Sequence, residues 1–476
     1  MAKPLILFIS FSFIFQVAIA QRKIISFHGK EAGGTYYAES ITQDNEGNTY
    51  VTGRVNSTFD LRWRNYNKTF TPLNESLDFF IIKLDKSFSI VWCRLYGGIG
   101  QEVDPQIAAD KEGNVYFTGS VYKGWELTTQ QGKVMLPSNE KFAMGFLAKL
   151  DPNGDFIWAK SIHPSIGTKI KSLAVTPKNE VLVCGYLLIE DTPRSLLPYT
   201  IPANSKDNGH LSYVFAYDKN GEQTFTKYFH FQDWAYTMGA TCDLNNNYYF
   251  FRDYADTSMA VKNNPRYTSS SNIWKSKTAI IEKMDSEGTT IWRTEIGRLR
   301  GIEKRAIDIN AITVDENEQV YFCGSFKDSV YTGLPNQKSL IAKGEEDILF
   351  GKLNINGEVL WLKGLGSERY DIAKSIAYSY LAKRVYIGGN YRRMIPAETL
   401  PNQIEFIKPS GGSNLFLLET DPDGNVTGSM PLESDYFELF NSLLLHPDLG
   451  FLIVGNVSEG KSARIIQIPV NPEYSK

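Results

Sequence analysis

Along this chain the apolar residues come in short runs bounded by turn residues, and one run recurs. It reads as a strand ending in an aromatic or aliphatic pair and, two residues on, glycine or its replacement. The copies are Asn48–Gly53, Asn114–Gly119, Glu180–Gly185, Asn247–Arg252, Gln319–Gly324, Arg384–Gly389 and Gly450–Gly455. Gly53, Gly119 and Gly185 follow one another at intervals of 66 residues. Runs this short, rich in Val, Ile, Tyr and Phe, are strands. A fixed period of this length marks a repeat architecture.

Each unit predicts three further strands around this one, which we label strand B. Strand A precedes it, at Tyr37–Asp44, Pro105–Asp110, Lys171–Pro177, Thr237–Asp243, Asn310–Asp315, Lys374–Ser379 and Asn441–Pro447. Strand C follows a long excursion, at Asp78–Asp85, Met144–Asp151, Ser212–Asp218, Thr278–Asp285, Asp347–Asn354, Asn414–Asp421 and Ser462–Val470. Strand D carries an aromatic residue at one position, namely Trp92, Trp158, Phe225, Trp292 and Trp361; its sixth copy, Asn425–Glu433, is degenerate. The last unit has no strand D of its own. The missing strand stands at the other end of the chain, where Lys23–Gly29 reads like Ile90–Gly97.

A chain that starts on strand D and ends on strand C is satisfied by circular closure, which also removes the frayed edge of an open array. The expectation is an all-β, seven-bladed β-propeller with four-stranded antiparallel blades. The blades are expected near residues 37–97, 105–163, 171–230, 237–297, 310–366, 374–433 and 441–470, the last completed by 23–29. Residues 21–476 then form one domain. The C–D turns Asp151–Gly154, Asp285–Gly288 and Asp421–Gly424 place glycine where φ is positive. They lack the long loop and terminal glutamate of an EF-hand, so they read as structural turns.

These segments resemble the bacterial β-propeller repeat family of exported proteins known as SBBP. Its pattern of G-N-x-Y-V-T-G, then D-x-F-x-x-K-L-D and a tryptophan, then G-G-x-G, is matched by Asn48–Gly53, Asp78–Asp85, Trp92 and Gly97–Gly100. Units two and five follow it nearly as well. Phe225 replaces the tryptophan in unit three, and Phe251 is taken to stand where a glycine is usual. The resemblance implies the propeller fold and an exported scaffold, with no single activity.

Residues 1–20 carry Lys3, an apolar run and Ala18-Ile19-Ala20, the pattern of a cleaved signal peptide that would leave Gln21 first. The expected location is therefore periplasmic, outer-surface-associated or secreted. The net charge of −3 gives no footprint for nucleic acid. Cys93, Cys184, Cys242 and Cys323 fall at positions that do not suit pairing and are expected to be free and buried. The five histidines, His28, His163, His210, His230 and His446, show no metal-binding spacing. No metal or cofactor is expected.

Alternation of connections puts the tight A–B and C–D turns on one face and the long B–C excursions and D–A crossovers on the other. Loops of that length are usually functional. Four tryptophans outside the repeat positions, Trp63, Trp125, Trp234 and Trp274, lie in these connections and either pack them down or contact a partner. Acidic residues gather in the crossovers at Glu102, Asp104, Asp233, Glu303, Glu368 and Asp371. They would serve either as ordinary solvated charges or as a carboxylate ring at the channel mouth. The leading expectation is a non-catalytic binding module, possessing a protein or glycan partner and no transmembrane segment. The rivals are a glycan-active lyase or hydrolase and a structural spacer.

Overall fold

The computed structural model describes residues 22–29, 33–73, 76–138, 141–163, 165–189, 210–229, 235–255, 277–296, 307–334, 337–393, 395, 412–432, 438–457 and 461–469. Its frame is seven four-stranded antiparallel sheets set radially as blades. Blade one consists of Tyr36–Gln43, Thr49–Val55, Asp78–Leu84 and Ile90–Tyr96, in that spatial order. Blade two is Glu102–Ala109, Val115–Val121, Met144–Leu150 and Phe156–Ser161; blade three is Gly167–Val175, Val181–Leu188, His210–Tyr217 and Gln223–Phe229. Blades four and five are Ala235–Cys242, Tyr248–Ala255, Lys277–Met284, Thr290–Ile296 and Ile307–Val314, Val320–Phe326, Asp347–Leu353, Val359–Leu365. Blade six is Ile372–Ser379, Arg384–Tyr391, Asn414–Thr420 and Val426–Leu432; blade seven is Glu438–His446, Gly450–Val457, Ser462–Ile468 and the N-terminal strand Lys23–Ser26.

The strand-B glycines answer a backbone irregularity. Strand A is bulged against strand B at the same repeat position throughout, for example between Ala38 and Ser40, Ile170 and Ser172, and Ile309 and Ala311. The bulge pushes a carbonyl oxygen over strand B. A Cβ at Gly53 would lie 1.7 Å from Tyr37 O, at Gly185 2.0 Å from Lys169 O, and at Gly324 1.9 Å from Asp308 O. At Gly119 the obstacle is instead the Phe79 ring, 2.5 Å away. In blade four the register pairs Arg252 with Thr237 just before the bulge, so Arg252, not Phe251, occupies the glycine position. Arg252 is buried and forms an ion pair with Glu282 at 2.8 Å.

The repeat aromatics join one blade to the next. The indole N–H groups of Trp92, Trp158, Trp292 and Trp361 donate to Pro152 O, Lys219 O, Ile355 O and Pro422 O, each in the C–D turn of the following blade. The rings lie against that turn's glycine, so a Cβ at Gly221 would meet Trp158 at 3.1 Å and one at Gly424 would meet Trp361 at 2.7 Å. These glycines therefore serve twice, by adopting positive φ and by leaving room for the ring. The turn aspartates complete the motif. Asp44 Oδ1 accepts the N–H groups of Glu46 and Asn48, and Asp151, Asp285 and Asp421 do the same in their own turns.

Closure follows the expected pairing, with Lys23, Ile24, Ile25 and Ser26 opposite Gln467, Ile466, Ile465 and Arg464. Phe27 N–H continues it to Ala463 O at 3.1 Å. His28–Gly29 then leaves blade seven and pairs with Asp60 and Phe59 of blade one. The segment thus welds two blades, and Ile25 and Phe27 are buried in a core shared with Val51, Phe80, Leu452 and Ile465. At this seam the closing strand brings no tryptophan to the next turn, and Trp63 of blade one's own hairpin bonds the turn's Phe88 O instead. Phe88, held at φ 60° where other C–D turns have glycine, fills the space from the opposite side and is wholly buried.

Candidate functional site

The B–C excursions of blades one, two and five contain hairpins: Phe59–Trp63 with Tyr66–Phe70, Lys123–Thr129 with Gly132–Ser138, and Ser329–Leu334 with Gln337–Ile341. Sequence reasoning stands these segments on the long-loop face. The hairpins instead fold back along the rim, toward the C–D turns. Trp63 Nε1–H donates to Phe88 O at 2.7 Å, and Gln130 N–H to Phe156 O at 2.9 Å, both at the C–D end of their blades. The cause is the apolar alternation of the hairpins, which covers the outer strands. Trp125 is buried and meets Phe146 and Phe156 edge-to-face at 5.6 and 5.9 Å.

Between blade one's outermost strand and blade two's hairpin lies a cleft of about 500 Å³. One wall is Arg94–Gly97, the other Trp125–Gln130, with Gly154–Phe156 and Leu73 completing the lining. Its blade-one wall is held to blade two from below. Tyr96 donates its hydroxyl to Gly154 O at 2.8 Å, and Arg94 pairs with Asp155 at 2.5 Å. Near the crossover the walls converge, and a Cβ at Gly98 would lie 3.1 Å from Gly124 O. Leu73 is 51% exposed in the lining, and Ile99 is 68% exposed in the adjoining crossover.

The crossover carboxylates are placed differently. Glu102 is buried, its Oε1 accepts Gly98 N–H at 3.0 Å, and its own N–H donates to Leu77 O. Asp371 repeats this in blade six, where its carboxylate accepts Ser367 N–H at 2.6 Å and Arg392 N–H at 3.2 Å. Asp78 and Asp347, at the start of strand C, cap the ends of the B–C excursions before them, accepting Leu73 N–H and, in blade five, Lys343 and Gly344 N–H. Burial raises all four carboxyls. Glu102 is pushed up to about 8, with the nearby Asp78 charge adding to the effect, and Asp371 to about 6, with Asp347 adding. Asp104 pairs with Lys169 at 3.2 Å, and the exposed Glu368 with Arg393 at 3.0 Å.

The structure therefore brings Trp125, Glu102 and Asp104 to the junction of blades one and two, with Trp63 on blade one's rim and Glu368 and Asp371 at blade six. Trp234, Trp274, Asp233 and Glu303 lie outside the described residues. The cleft residues Leu73 and Arg94 and the adjoining Ile99 were not singled out from sequence, where the only signal was Gly97–Gly100 preceding a hairpin tryptophan. The four cysteines are free, and burial raises the thiols of Cys93, Cys184 and Cys323. Among the described residues no three His, Cys, Asp or Glu side chains cluster as a metal site, and no helix is long and apolar enough to cross a membrane.

No family model matches the chain, and no curated protein matches it. The resemblance to the exported bacterial repeat family thus stands at its coarser level, that of a β-propeller. Solved structures of similar fold include the Pan2 WD40 domain of Neurospora crassa, at 10% identity over 93% of this chain and 92% of that one, with a TM-score of 0.46. A polysaccharide lyase of family PL25, an ulvan lyase, is similar at 10% identity over 92% and 95%, with a TM-score of 0.48. The virginiamycin B lyase of Staphylococcus aureus is similar at 8% identity over 94% and 99%, with a TM-score of 0.42. These likenesses concern the fold, and none bears on the chemistry of this chain.

Proposed function

We propose that the protein is an exported, non-catalytic interaction module whose partner docks at the rim cleft between blades one and two. The observation that carries this is the cleft itself: about 500 Å³, walled by Arg94–Gly97 and Trp125–Gln130, with exposed Leu73 in its lining. The glycan-active alternative asks for carboxylates free to exchange protons with a substrate. Glu102 and Asp371, the acidic crossover residues with the largest upward shifts, are instead buried, and each gives one carboxylate oxygen to a backbone N–H of its own crossover. That arrangement supports a capping role.

Export through residues 1–20 belongs to the same proposal; N-terminal sequencing of the protein recovered outside the cytoplasm should begin at Gln21. Docking is tested by cross-linking capture from the native envelope with the wild type and with Leu73→Asp and Ile99→Asp, both at exposed sites. The variants should melt as the wild type does and lose the captured partner. Undiminished capture by both would overturn the assignment.

A further inference from the structure

The cleft has a second property, in its backbone. Ile90–Tyr96 is the outer strand of blade one, bonded on one side to Asp78–Leu84. On the other side Cys93 N–H is taken by the Tyr66 hydroxyl at 3.1 Å. Alternation along a strand turns the same edge outward at Leu95 and Gly97. Both line the cleft, and neither has an outer-edge partner among the described residues. Across the cleft, Lys123–Thr129 is bonded among the described residues on one side only, to Gly132–Ser138. Two open strand edges thus border one gap, and open edges are templates for pairing.

The neighbouring seam contains such a gap already filled. There the extended segment Lys23–Gly29 pairs with Ser462–Ile468 of blade seven through Lys23–Ser26, and with the blade-one hairpin strand Phe59–Trp63 through His28–Gly29. In the repeat, Tyr96 and Gly97 stand where His28 and Gly29 stand. In blade one they stop short of the next hairpin, and among the described residues no strand joins the two edges.

Resting on the proposal that the cleft is the docking site, we propose that its occupant is an extended peptide strand of the partner protein. It adds to the blade-one edge at Leu95 and Gly97 and runs beside Lys123–Thr129. Main-chain hydrogen bonds supply the affinity, and alternate side chains supply the specificity. The inward-facing side chains of the strand are apolar, because they meet Leu73, Tyr96 and Leu127 in the lining. The outward ones are free to be polar. A globular epitope or a glycan would not satisfy both backbone edges.

The test uses the full mature chain and a fluorescent library of hexapeptides with alternating apolar and polar residues. Selected peptides should slow hydrogen exchange at Leu95, Gly97 and Lys123–Thr129. N-methylation of a single pairing amide in the best peptide should weaken binding by about tenfold, as loss of a directional backbone bond does. Methylation at the intervening residue, whose amide turns to Lys123–Thr129, should weaken binding as well, whereas methylation outside the paired residues should have little effect. Equal tolerance of methylation at every position, or protection confined to other blades, would overturn strand addition. If no peptide binds while Leu73→Asp still abolishes partner capture, strand addition fails and the docking site stands. If Leu73→Asp and Ile99→Asp leave capture unchanged, the docking site itself fails.

Discussion

The indole peg between blades can be tested by exchanging two residues that differ by natural variation within the repeat. Trp158 is 2% exposed; its Nε1–H donates to Lys219 O at 3.2 Å, and its ring lies on Gly221 of blade three. Phe225, at the same position one blade on, has a ring on Gly288 and no N–H to give. Trp158→Phe removes one hydrogen bond worth about 1 kcal/mol. Lys219 is on an exposed turn, so its carbonyl recovers a water and adds no burial penalty. The smaller ring buries roughly 40 Å² less, another ~1 kcal/mol at about 25 cal/mol per Å². The expected cost is therefore about 2 kcal/mol, against about 3–5 kcal/mol for Trp158→Ala. The converse substitution, Phe225→Trp, should stabilise by about 1 kcal/mol, because the repeat offers Ser286 O to the new N–H. Urea unfolding followed by far-ultraviolet circular dichroism reads both as shifts of midpoint at constant slope. An unchanged midpoint for Trp158→Phe, together with a lowered one for Phe225→Trp, would refute the peg.

Other substitutions probe the buried ionisable groups and the closing strand. His446 is fully buried; its Nδ1 accepts Asp448 and Leu449 N–H, so the proton sits on Nε2, facing Gly47 O at 3.0 Å. Burial lowers its pKa even though Asp448 and Asp44 pull the other way, so its contribution is present above about pH 6.5 and is lost as pH falls toward the folded-state value. His446→Gln should flatten the acid limb of the urea midpoint against pH, and an unaltered limb would contradict this. Glu102 has the opposite sign: raised from 4.5 to about 8, it costs stability increasingly as pH rises through that window. Glu102→Gln keeps the acceptor for Gly98 N–H and should raise stability at pH 8, whereas Asp371→Asn turns a donor toward Ser367 or Arg392 N–H and should lower it; equal responses of the two variants would contradict the capping assignment. Deleting 21–29 strips Ile25 and Phe27 from the core, each worth about 1.5–3 kcal/mol, and should lower the melting temperature sharply; an unchanged melting temperature would count against closure.

What could be read from the sequence was whatever the repeat locks in place. The strand-B glycines, the turn aspartates and the strand-D tryptophans recur because each answers a contact present in many blades, so their spacing alone gave the blade count and the circular closure. The rim hairpins do not recur, since blades one, two and five build them from unrelated sequences. Their signal was local: Trp125, Leu127 and Thr129 alternate buried with exposed neighbours, ahead of a turn at Gly132 with φ 114°. Length suggested loops, whereas alternation would have given strands. Glu102 and Asp371 were legible as acidic residues in crossovers, but not as caps, because which N–H groups converge on a carboxylate depends on the path of the crossover. Phe88 was similarly hidden, as nothing adjacent in sequence announces that a phenylalanine takes the left-handed place of glycine.

Closure of the ring in this register is measured directly by a disulfide trap. Ser26 and Arg464 face each other in the pairing of the N-terminal strand with the last blade. Directly opposed residues of one face are close enough for a bridge, and a shift of one residue turns the side chain to the opposite face. In the mature protein, Ser26→Cys with Arg464→Cys should cross-link on mild oxidation, giving a species that migrates differently without reductant. Ser26→Cys with Ile465→Cys should stay reduced. No cross-link in the first pair, or a preferential cross-link in the second, would contradict the closed seven-bladed ring.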